Sequence, residues 1–228
     1  ARWNGTAWSP LGAGVDGIVN AIAELPDSSI VVGGTFTHAG GIPAANIAQW
    51  DGAAWSPLGS GVTGSGTSAG VRALAVLPGG GIAVGGLFDQ AGEMPVGGLA
   101  LWNGSSWSAI ASSITGPNSP RIEALVVDLD GNLIVGGGFL SIDQLSTAGI
   151  AKWRPATGEW ISMGGADGMV SALARRADGG IIAGGYFTTV GGTDAAHLAV
   201  WGCAACYANC DESTGAPALT ANDFVCFL

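Results

Sequence analysis

The residues best suited to chemistry lie in the C-terminal segment of this 228-residue chain. All four cysteines are there, as Cys203, Cys206, Cys210 and Cys226. Four cysteines can pair in three ways, and we expect Cys203–Cys206 and Cys210–Cys226 because each pair closes a local loop. The C-x2-C spacing also leaves a zinc site open, although the second pair lacks that spacing. A redox role is a further alternative, but no thioredoxin-like βαβ pattern surrounds the pair.

A second set of polar side chains follows each Gly-Gly-x-Phe motif, in loops that span residues 37–46, 89–98, 140–149 and 188–197. We predict that these loops emerge from one face of the molecule and that their carboxylates and amides contact a sugar or a cation. The candidate ligand-binding residues are Asp89, Gln90, Glu93, Asp143, Gln144 and Asp194. Solvated loop residues without a ligand are the open alternative.

The sequence contains no recognisable catalytic motif. G-x-S-x-G, H-E-x-x-H and P-loop patterns are absent from it. His38 and His197 occupy unmatched places in the chain, and we expect each to form a local hydrogen bond in a loop. Asp16 and Asp167 occupy matched places before a glycine, which favours turn formation. A carboxylate pair for glycoside hydrolysis would need a separation that sequence cannot give. We therefore predict no catalytic residues.

These side chains must be positioned by a repeat of about 50 residues. Its anchors are aromatic: a Gly-Gly-x-Phe motif, then one tryptophan, then in most units a second. The phenylalanines are Phe36, Phe88, Phe139 and Phe187, and the tryptophans are Trp50, Trp102, Trp153 and Trp201, with Trp55, Trp107 and Trp160 as the second members and Trp3 and Trp8 as an earlier pair. We expect these rings to pack in the core. The period predicts an all-β fold, a β-propeller or a related array.

Each repeat predicts a four-stranded meander, which in the first unit covers residues 17–25, 30–37, 46–52 and 53–59. The second strand is apolar throughout, so we expect both of its faces to be buried. The Gly-Gly pair that closes it lets backbones approach closely. Asp-Gly-type pairs before this strand, such as Asp130-Gly131, predict two-residue turns with positive φ at both central positions.

The fourth repeat lacks a last strand, since Trp201 is followed by Gly202 and Cys203. A matching strand occurs at the other end of the chain, in residues 6–12. We predict that it completes the last blade by pairing with residues 197–201, in the same chain or in a neighbour. This gives about four four-stranded blades. The expected domains are residues 1–202, the propeller, and residues 203–228, a short Cys-rich tail.

The pattern D-G-x-I-x-x-G-G-x-F followed by I-A-x-W-D/N-G resembles the kelch-like propeller repeats of large secreted and surface bacterial proteins. This resemblance covers residues 1 to about 202, and it implies a propeller fold. The tail resembles half of a dockerin-like calcium motif, with its closing Asn-Asp-Phe at residues 222–224. That likeness implies calcium ligands at Asn209, Asp211 and Asp223, and an attachment role outside the cell.

Composition narrows the class of protein. Hydrophobic residues make up 48% and charged residues 11%, with 41 glycines, which favours short ordered strands over disorder or long helices. The net charge of −10 without a Lys/Arg run argues against nucleic acid and anionic membranes as partners. No apolar stretch reaches the roughly 18 residues of a membrane span. Because the chain opens inside a repeat with no visible signal peptide, we expect a processed form or a fragment.

Taken together, these features predict a secreted, non-catalytic propeller at the cell surface or outside the cell. Its expected role is structural, as an assembly or attachment subunit that self-associates by strand exchange. A glycan-binding module with a polysaccharide partner is the first alternative, and a polysaccharide-active enzyme is the second. The available terminal strand favours assembly, whereas the loops favour glycan binding, although none of them contains Trp or Tyr.

Overall fold

The computed structural model describes residues 1–66, 69–117 and 119–202. Four antiparallel sheets follow one another along the chain, one for each repeat, and each is a meander in which consecutive main strands pair. Sheet 1 contains Ile18–Glu24, Ile30–Thr35, Ile47–Trp50 and Trp55–Pro57; sheet 2 contains Gly70–Val76, Ile82–Leu87, Leu99–Trp102 and Trp107–Ala111; sheet 3 contains Arg121–Val127, Leu133–Gly138, Ile150–Arg154 and Glu159–Ser162; sheet 4 contains Val170–Arg175, Ile181–Gly185 and Leu198–Trp201. This all-β architecture of four-stranded sheets is that of propeller blades.

Each loop after a Gly-Gly-x-Phe motif folds into a small hairpin that the sequence did not reveal. The hairpins are His38–Ala39 with Ile42–Pro43, Gln90–Ala91 with Met94–Pro95, Ser141–Ile142 with Leu145–Ser146, and Thr189–Val190 with Thr193–Asp194. Each pairs with the segment that leads into the first strand of its own sheet, through Val62–Thr63, Ile114–Thr115 or a single bridge at Val15 or Ala166. The hairpins therefore occupy the same end of every sheet.

The turn between the first and second strands differs from the prediction. Leu25 N–H donates to the carbonyl of Ser29 at 2.8 Å, and Ser28 N–H donates back to the carbonyl of Leu25 at 2.9 Å, so the loop has three residues. Only the second residue of each predicted pair has positive φ, at 67° for Ser28 and 81° for Gly131. The expectation of two positive φ values was wrong, because a three-residue loop places only its last residue in the left-handed region.

The Gly-Gly pair has two separate roles, which sheet 2 illustrates. Gly85 faces sheet 3, where a Cβ atom on it would lie 2.6 Å from Cγ2 of Ile122. Gly86 faces the first strand of its own sheet, where a Cβ atom would collide with the carbonyl oxygen of Gly70. The first strand bulges at this point, since its register shifts after Val71. The pair thus admits a neighbouring sheet on one side and a β-bulge on the other.

The core lies between successive sheets and confirms the predicted burial of the aromatic anchors. The four phenylalanines of the Gly-Gly-x-Phe motifs are at most 5% exposed. The second strands are buried as predicted, with Leu133–Val135 fully enclosed. Trp102 and Trp153 are also buried. The other tryptophans of the repeats, Trp50, Trp55, Trp107, Trp160 and Trp201, are partly buried. Trp3 and Trp8 are exposed, with fractions of 49% and 68%, because none of the described sheets packs against the hairpin that carries them.

Residues 6–12 do not complete sheet 4 within this chain. Trp8–Ser9 pairs with Arg2–Trp3, and Trp3 lies opposite Trp8. The same tryptophan pairing joins the third and fourth strands of the complete sheets. Among the described residues, Leu198–Trp201 pairs only with Ile181–Gly185. In a closed ring, Leu198–Trp201 of sheet 4 would pair with Trp8–Ser9. In this structure Arg2–Trp3 occupies that position instead.

Candidate functional site

The six predicted ligand residues are divided among three of the small hairpins. Asp89, Gln90 and Glu93 belong to the second unit, Asp143 and Gln144 to the third, and Asp194 to the fourth. Where these carboxylates accept hydrogen bonds, the donors are nearby residues of the protein itself. Asp89, for example, accepts from the N–H of Ser65 at 3.2 Å. The ligand role of these residues stays a prediction.

Asp143 fastens its own hairpin to the rest of the third unit. It has a φ of 49°, in a place where the other units have glycine. Its Oδ1 accepts from the N–H and hydroxyl of Ser112, at 2.8 and 2.6 Å, and from the N–H of Ser113 at 3.0 Å. Its Oδ2 accepts from Nε1 of Trp160 at 3.2 Å. These contacts give the carboxylate a structural task.

Asp16 and Asp167 have the same arrangement in the first and fourth units. Asp16 accepts from the Thr37 hydroxyl at 2.6 Å, from the Thr37 N–H and from the His38 N–H. Asp167 accepts from the Thr188 hydroxyl at 2.6 Å and from two main-chain N–H groups. The threonine hydroxyl is the main cause that lowers the pKa of both carboxyls, to about 2 for Asp167. Each carboxylate therefore holds its own hairpin, and His38 Nδ1, 3.0 Å from Asp16, joins the first of these networks.

A cleft of about 460 Å³ lies where the third and fourth units meet. The segment from Trp160 to Asp167 is one residue shorter than its counterparts in the other units. Hydroxyl groups line the cleft, from Ser146, Thr147, Ser162 and Thr189. The predicted ligand residue Asp194 pairs with Thr189 at its edge. Such a surface can hydrogen-bond a polyhydroxylated ligand, although it has no aromatic wall.

Two apolar faces at opposite ends of the row of sheets are exposed, and no described element covers them. The leading face consists of Ile18, Val19 and Ile22 on the first strand of sheet 1, with exposed fractions of 66%, 38% and 66%. The trailing face consists of Gly184, Tyr186, Leu198 and Val200 on sheet 4, and Tyr186 is 75% exposed. Exposed apolar residues grouped in this way mark an interaction surface more often than scattered ones do.

The interior junctions show what these faces look like when they are covered. Val71, Ile122 and Val170 correspond to Val19, and each is fully buried against the preceding sheet. Each branched side chain lies over a glycine of that sheet, as Val170 lies over Gly136, where a Cβ atom would be 2.8 Å from its Cγ1. At Gly184 the nearest heavy atom to such a Cβ is 3.8 Å away and is the carbonyl oxygen of His197, in the same unit. We call the exposed side chain of Val19 on the leading face the knob. We call the open space above Gly184 on the trailing face the socket.

The tail residues predicted to act as ligands lie outside the described residues. This applies to Cys203, Cys206, Cys210 and Cys226 and to the calcium candidates Asn209, Asp211 and Asp223. Over residues 1–66, 69–117 and 119–202 there is no cluster of three or more metal-ligating side chains. The same part of the chain contains no helix with the length and hydropathy needed to cross a bilayer.

Comparison with known proteins supports the propeller architecture. Residues 25–49 match a family model described as a domain of unknown function (DUF5122) beta-propeller. No curated protein matches the sequence. Two structures of the extracellular domain of BT4673 from B. thetaiotaomicron are similar at 12% identity, with TM-scores of 0.50 and 0.52 over 80% of this chain. PorZ, a surface component of the type-IX secretion system of Porphyromonas gingivalis, is similar over 88% of this chain, at 15% identity and a TM-score of 0.48.

These likenesses concern the fold alone. This chain spans 21% of the BT4673 chains and 28% of PorZ. The matched region of those proteins is therefore a minor part of each.

Sequence reasoning missed the residues of the two end faces. A signal for them was present, because a Val/Ile residue and a Leu/Ile three positions later recur on the first strand of every sheet, as in Ile122 and Leu125. Together with the Gly-Gly pair, this spacing describes a knob and its socket. The sequence could not show which copies of the pair are left without a partner, since that depends on the tertiary arrangement.

Proposed function

We propose that this protein is an extracellular, non-catalytic assembly subunit that associates with further copies of itself by strand exchange. One observation carries the proposal: Leu198–Trp201 has an open edge among the described residues, while Trp8–Ser9 has the register of a fourth strand. An open strand edge next to apolar surface is a strong template for pairing with another chain. A strand that matches it is available at the other end of the same sequence.

The N-terminal hairpin holds this strand in a competing pair. Trp3 lies opposite Trp8 as Trp50 lies opposite Trp55, and the two ring centroids are 5.5 Å apart. Trp3 and Trp201 therefore take equivalent places, each as the last residue of a third strand. Exchange replaces the Arg2–Trp3 arm by Leu198–Trp201 of another molecule. The two-residue strand Arg2–Trp3 is thereby replaced by the longer strand Leu198–Trp201 as the pairing partner.

The location outside the cell rests on composition and on the resemblance of the tail to an attachment motif. The similar structures of BT4673 are of an extracellular domain, which supports this location. Calcium bound by Asn209, Asp211 and Asp223, and disulfides among the four cysteines, are part of this proposal. A cell-surface or polysaccharide partner would then be reached through the tail.

Light scattering on freshly isolated protein over a hundredfold range of concentration tests the proposal. We expect a mass that rises with concentration, and rings or filaments in negative-stain micrographs. Deleting residues 1–5 removes the competing arm and should favour assembly, whereas deleting residues 1–12 also removes the exchanged strand and should abolish it. Monomers at every concentration, for both the intact protein and the shorter deletion, would overturn strand exchange.

A glycan-binding module is the second candidate, and the hydroxyl-lined cleft between the third and fourth units favours it. Binding there requires Ser162 and Thr189, which line the cleft. A glycan array followed by titration calorimetry checks this function. A monomeric protein with an array hit that is lost in Thr189→Val would replace assembly by glycan binding. Release of a shorter glycan would instead indicate the remaining alternative, a polysaccharide-active enzyme.

A further inference from the structure

We propose that the leading face of one copy packs on the trailing face of the next, in the geometry that already joins the sheets inside the chain. This inference rests on the proposed assembly function and names the surface and the partner, which is a second copy of this protein. The internal junctions provide the template three times over. The interface is therefore a continuation of one that the fold already forms.

The socket at Gly184 has the position of Gly33, Gly85 and Gly136. At Gly136 the atoms that fill it belong to Val170 and Leu173 of the following sheet. The residues in those places on the leading face are Val19 and Ile22. Both are exposed, and both have the β-branched shape that suits a glycine-floored socket. A second copy therefore fills the socket with the same type of side chain that fills the internal ones.

A second contact joins the exposed rims of the two faces. A Cβ atom on Gly138 of sheet 3 would lie 3.4 Å from Sδ of Met169, so these two positions meet across the junction of sheets 3 and 4. Tyr186 is the counterpart of Gly138 on the trailing face, and Ile18 is the counterpart of Met169 on the leading face. These are two of the most exposed large apolar residues of the described chain. Stacking places one against the other.

Stacking of the two faces and strand exchange would then occur at the same junction between two copies. In the intact sheets, a fourth strand leads directly into the first strand of the following sheet. A second copy whose sheet 1 packs on sheet 4 therefore brings its Trp8–Ser9 beside Leu198–Trp201. The contact is head-to-tail, so a stacked pair of copies retains one free leading face and one free trailing face, and the assembly grows until it closes.

Two blocked variants and their mixture test the interface by sedimentation velocity. Ile22→Glu blocks the leading face, and Gly184→Val fills the socket of the trailing face. Met94→Glu, on an exposed hairpin away from both faces, is the control. We expect each blocked variant to sediment as a monomer and the control to assemble like the intact protein. The equimolar mixture should form a dimer with twice the monomer mass, because one unblocked face of each kind remains.

The outcomes separate this interface from the broader proposal. If the intact protein assembles and both blocked variants assemble equally well, the stacking interface is wrong while assembly stands. If the mixture of blocked variants stays monomeric although each alone is monomeric, the head-to-tail geometry is wrong. An intact protein that is monomeric at every concentration overturns both the assembly function and this interface. Circular dichroism melts confirm that each variant is folded.

Discussion

The interior junctions and the two end faces are built from the same sequence elements but differ in what covers them. Val71, Ile122 and Val170 are fully buried, whereas Val19, the same kind of residue in the same place, is 38% exposed. The socket glycines differ in the same way, because Gly85 contacts Ile122 and Gly184 contacts no following sheet. A repeat unit cannot bury its apolar face alone. The same motif is therefore buried inside the row and exposed at its ends.

The interior junctions are not all alike. At the outer end of the first two, Leu25 and Leu77 join the apolar clusters. At the third junction the equivalent residue is Asp128, which pairs with Lys152 at 3.0 Å. The two side chains are 7% and 14% exposed, and the ammonium group also lies 4.7 Å from the ring of Trp201. This junction is thus fixed by charge and by a cation–π contact in addition to apolar packing.

Breaking this buried ion pair should have the largest effect on stability. Lys152→Met leaves the carboxylate of Asp128 buried without its counter-charge, and we expect a loss of about 3 kcal/mol in the free energy of unfolding. Chemical denaturation measures it. The matched control is Arg176→Met, which removes an exposed pair with Asp178 and should cost less than about 1 kcal/mol.

The double variant Asp128→Leu/Lys152→Leu transfers the residues of sheet 2, Leu77 and Leu101, to sheet 3. Because neither charge is then left buried, its stability should exceed that of Lys152→Met, although the N–H groups of Asp130 and Asn132 lose their acceptor. A double variant that is as unstable as Lys152→Met would show that packing, and not the unpaired charge, causes the loss.

A valine in a socket should distinguish the interior from the end. Gly85→Val places a Cβ atom too close to Ile122, and we expect a loss of about 2–3 kcal/mol from overpacking. Gly184→Val meets no neighbouring sheet and should cost less than about 0.5 kcal/mol in dilute monomeric protein. Thermal melts of both variants at low concentration measure the difference. Equal losses would mean that the socket of sheet 4 is not empty.

The second tryptophan of each pair gives a smaller contrast. Trp107 donates through Nε1 to the carbonyl of Leu58 at 3.0 Å, and Trp107→Phe should cost about 1 kcal/mol because that carbonyl loses one of its two donors and keeps only the N–H of Gly61. Trp8 has the same place in the N-terminal hairpin but is exposed. Trp8→Phe should therefore leave the melting temperature of the monomer unchanged. A large shift in the melting temperature of Trp8→Phe would mean that the Trp8 ring is already packed between sheets in a single molecule.

The sequence predicted the sheets better than the sites, for physical reasons. Phe139 and Trp153 were correctly placed in the core because the repeat recurs four times. The small hairpins after the Gly-Gly-x-Phe motifs were not predicted, because strands of two residues are too short to show a periodic pattern. The positive φ of Asp143 and its hydrogen bond from Ser112 were not predicted, because both depend on how the chain folds around that residue. The Asp128–Lys152 pair left no pattern, since its members lie on non-adjacent strands.

Lowering the pH should produce the smallest effect. Hydrogen bonds from Thr188 and Thr189 hold the pKa of Asp167 at about 2 in the folded protein, below its value of about 3.9 in an unfolded chain. The folded state thus binds fewer protons, so this contribution to stability is present above about pH 4 and is lost as the pH falls through about 2. Asp167→Asn should flatten the decline in melting temperature over that window. Thr188→Val, which removes the main cause of the shift, should flatten it in part.

Hydrogen exchange at the open edge of sheet 4 tests the central claim most directly. The outward-facing amides of Leu198–Trp201 have no strand partner among the described residues, and stacking with strand exchange pairs them with Trp8–Ser9 of the next copy. We predict that their exchange slows as protein concentration rises, and that Ile22→Glu removes this protection without changing exchange in Ile82–Leu87. Exchange at Leu198–Trp201 that is equally fast at every concentration, or equally protected in Ile22→Glu, would contradict the account.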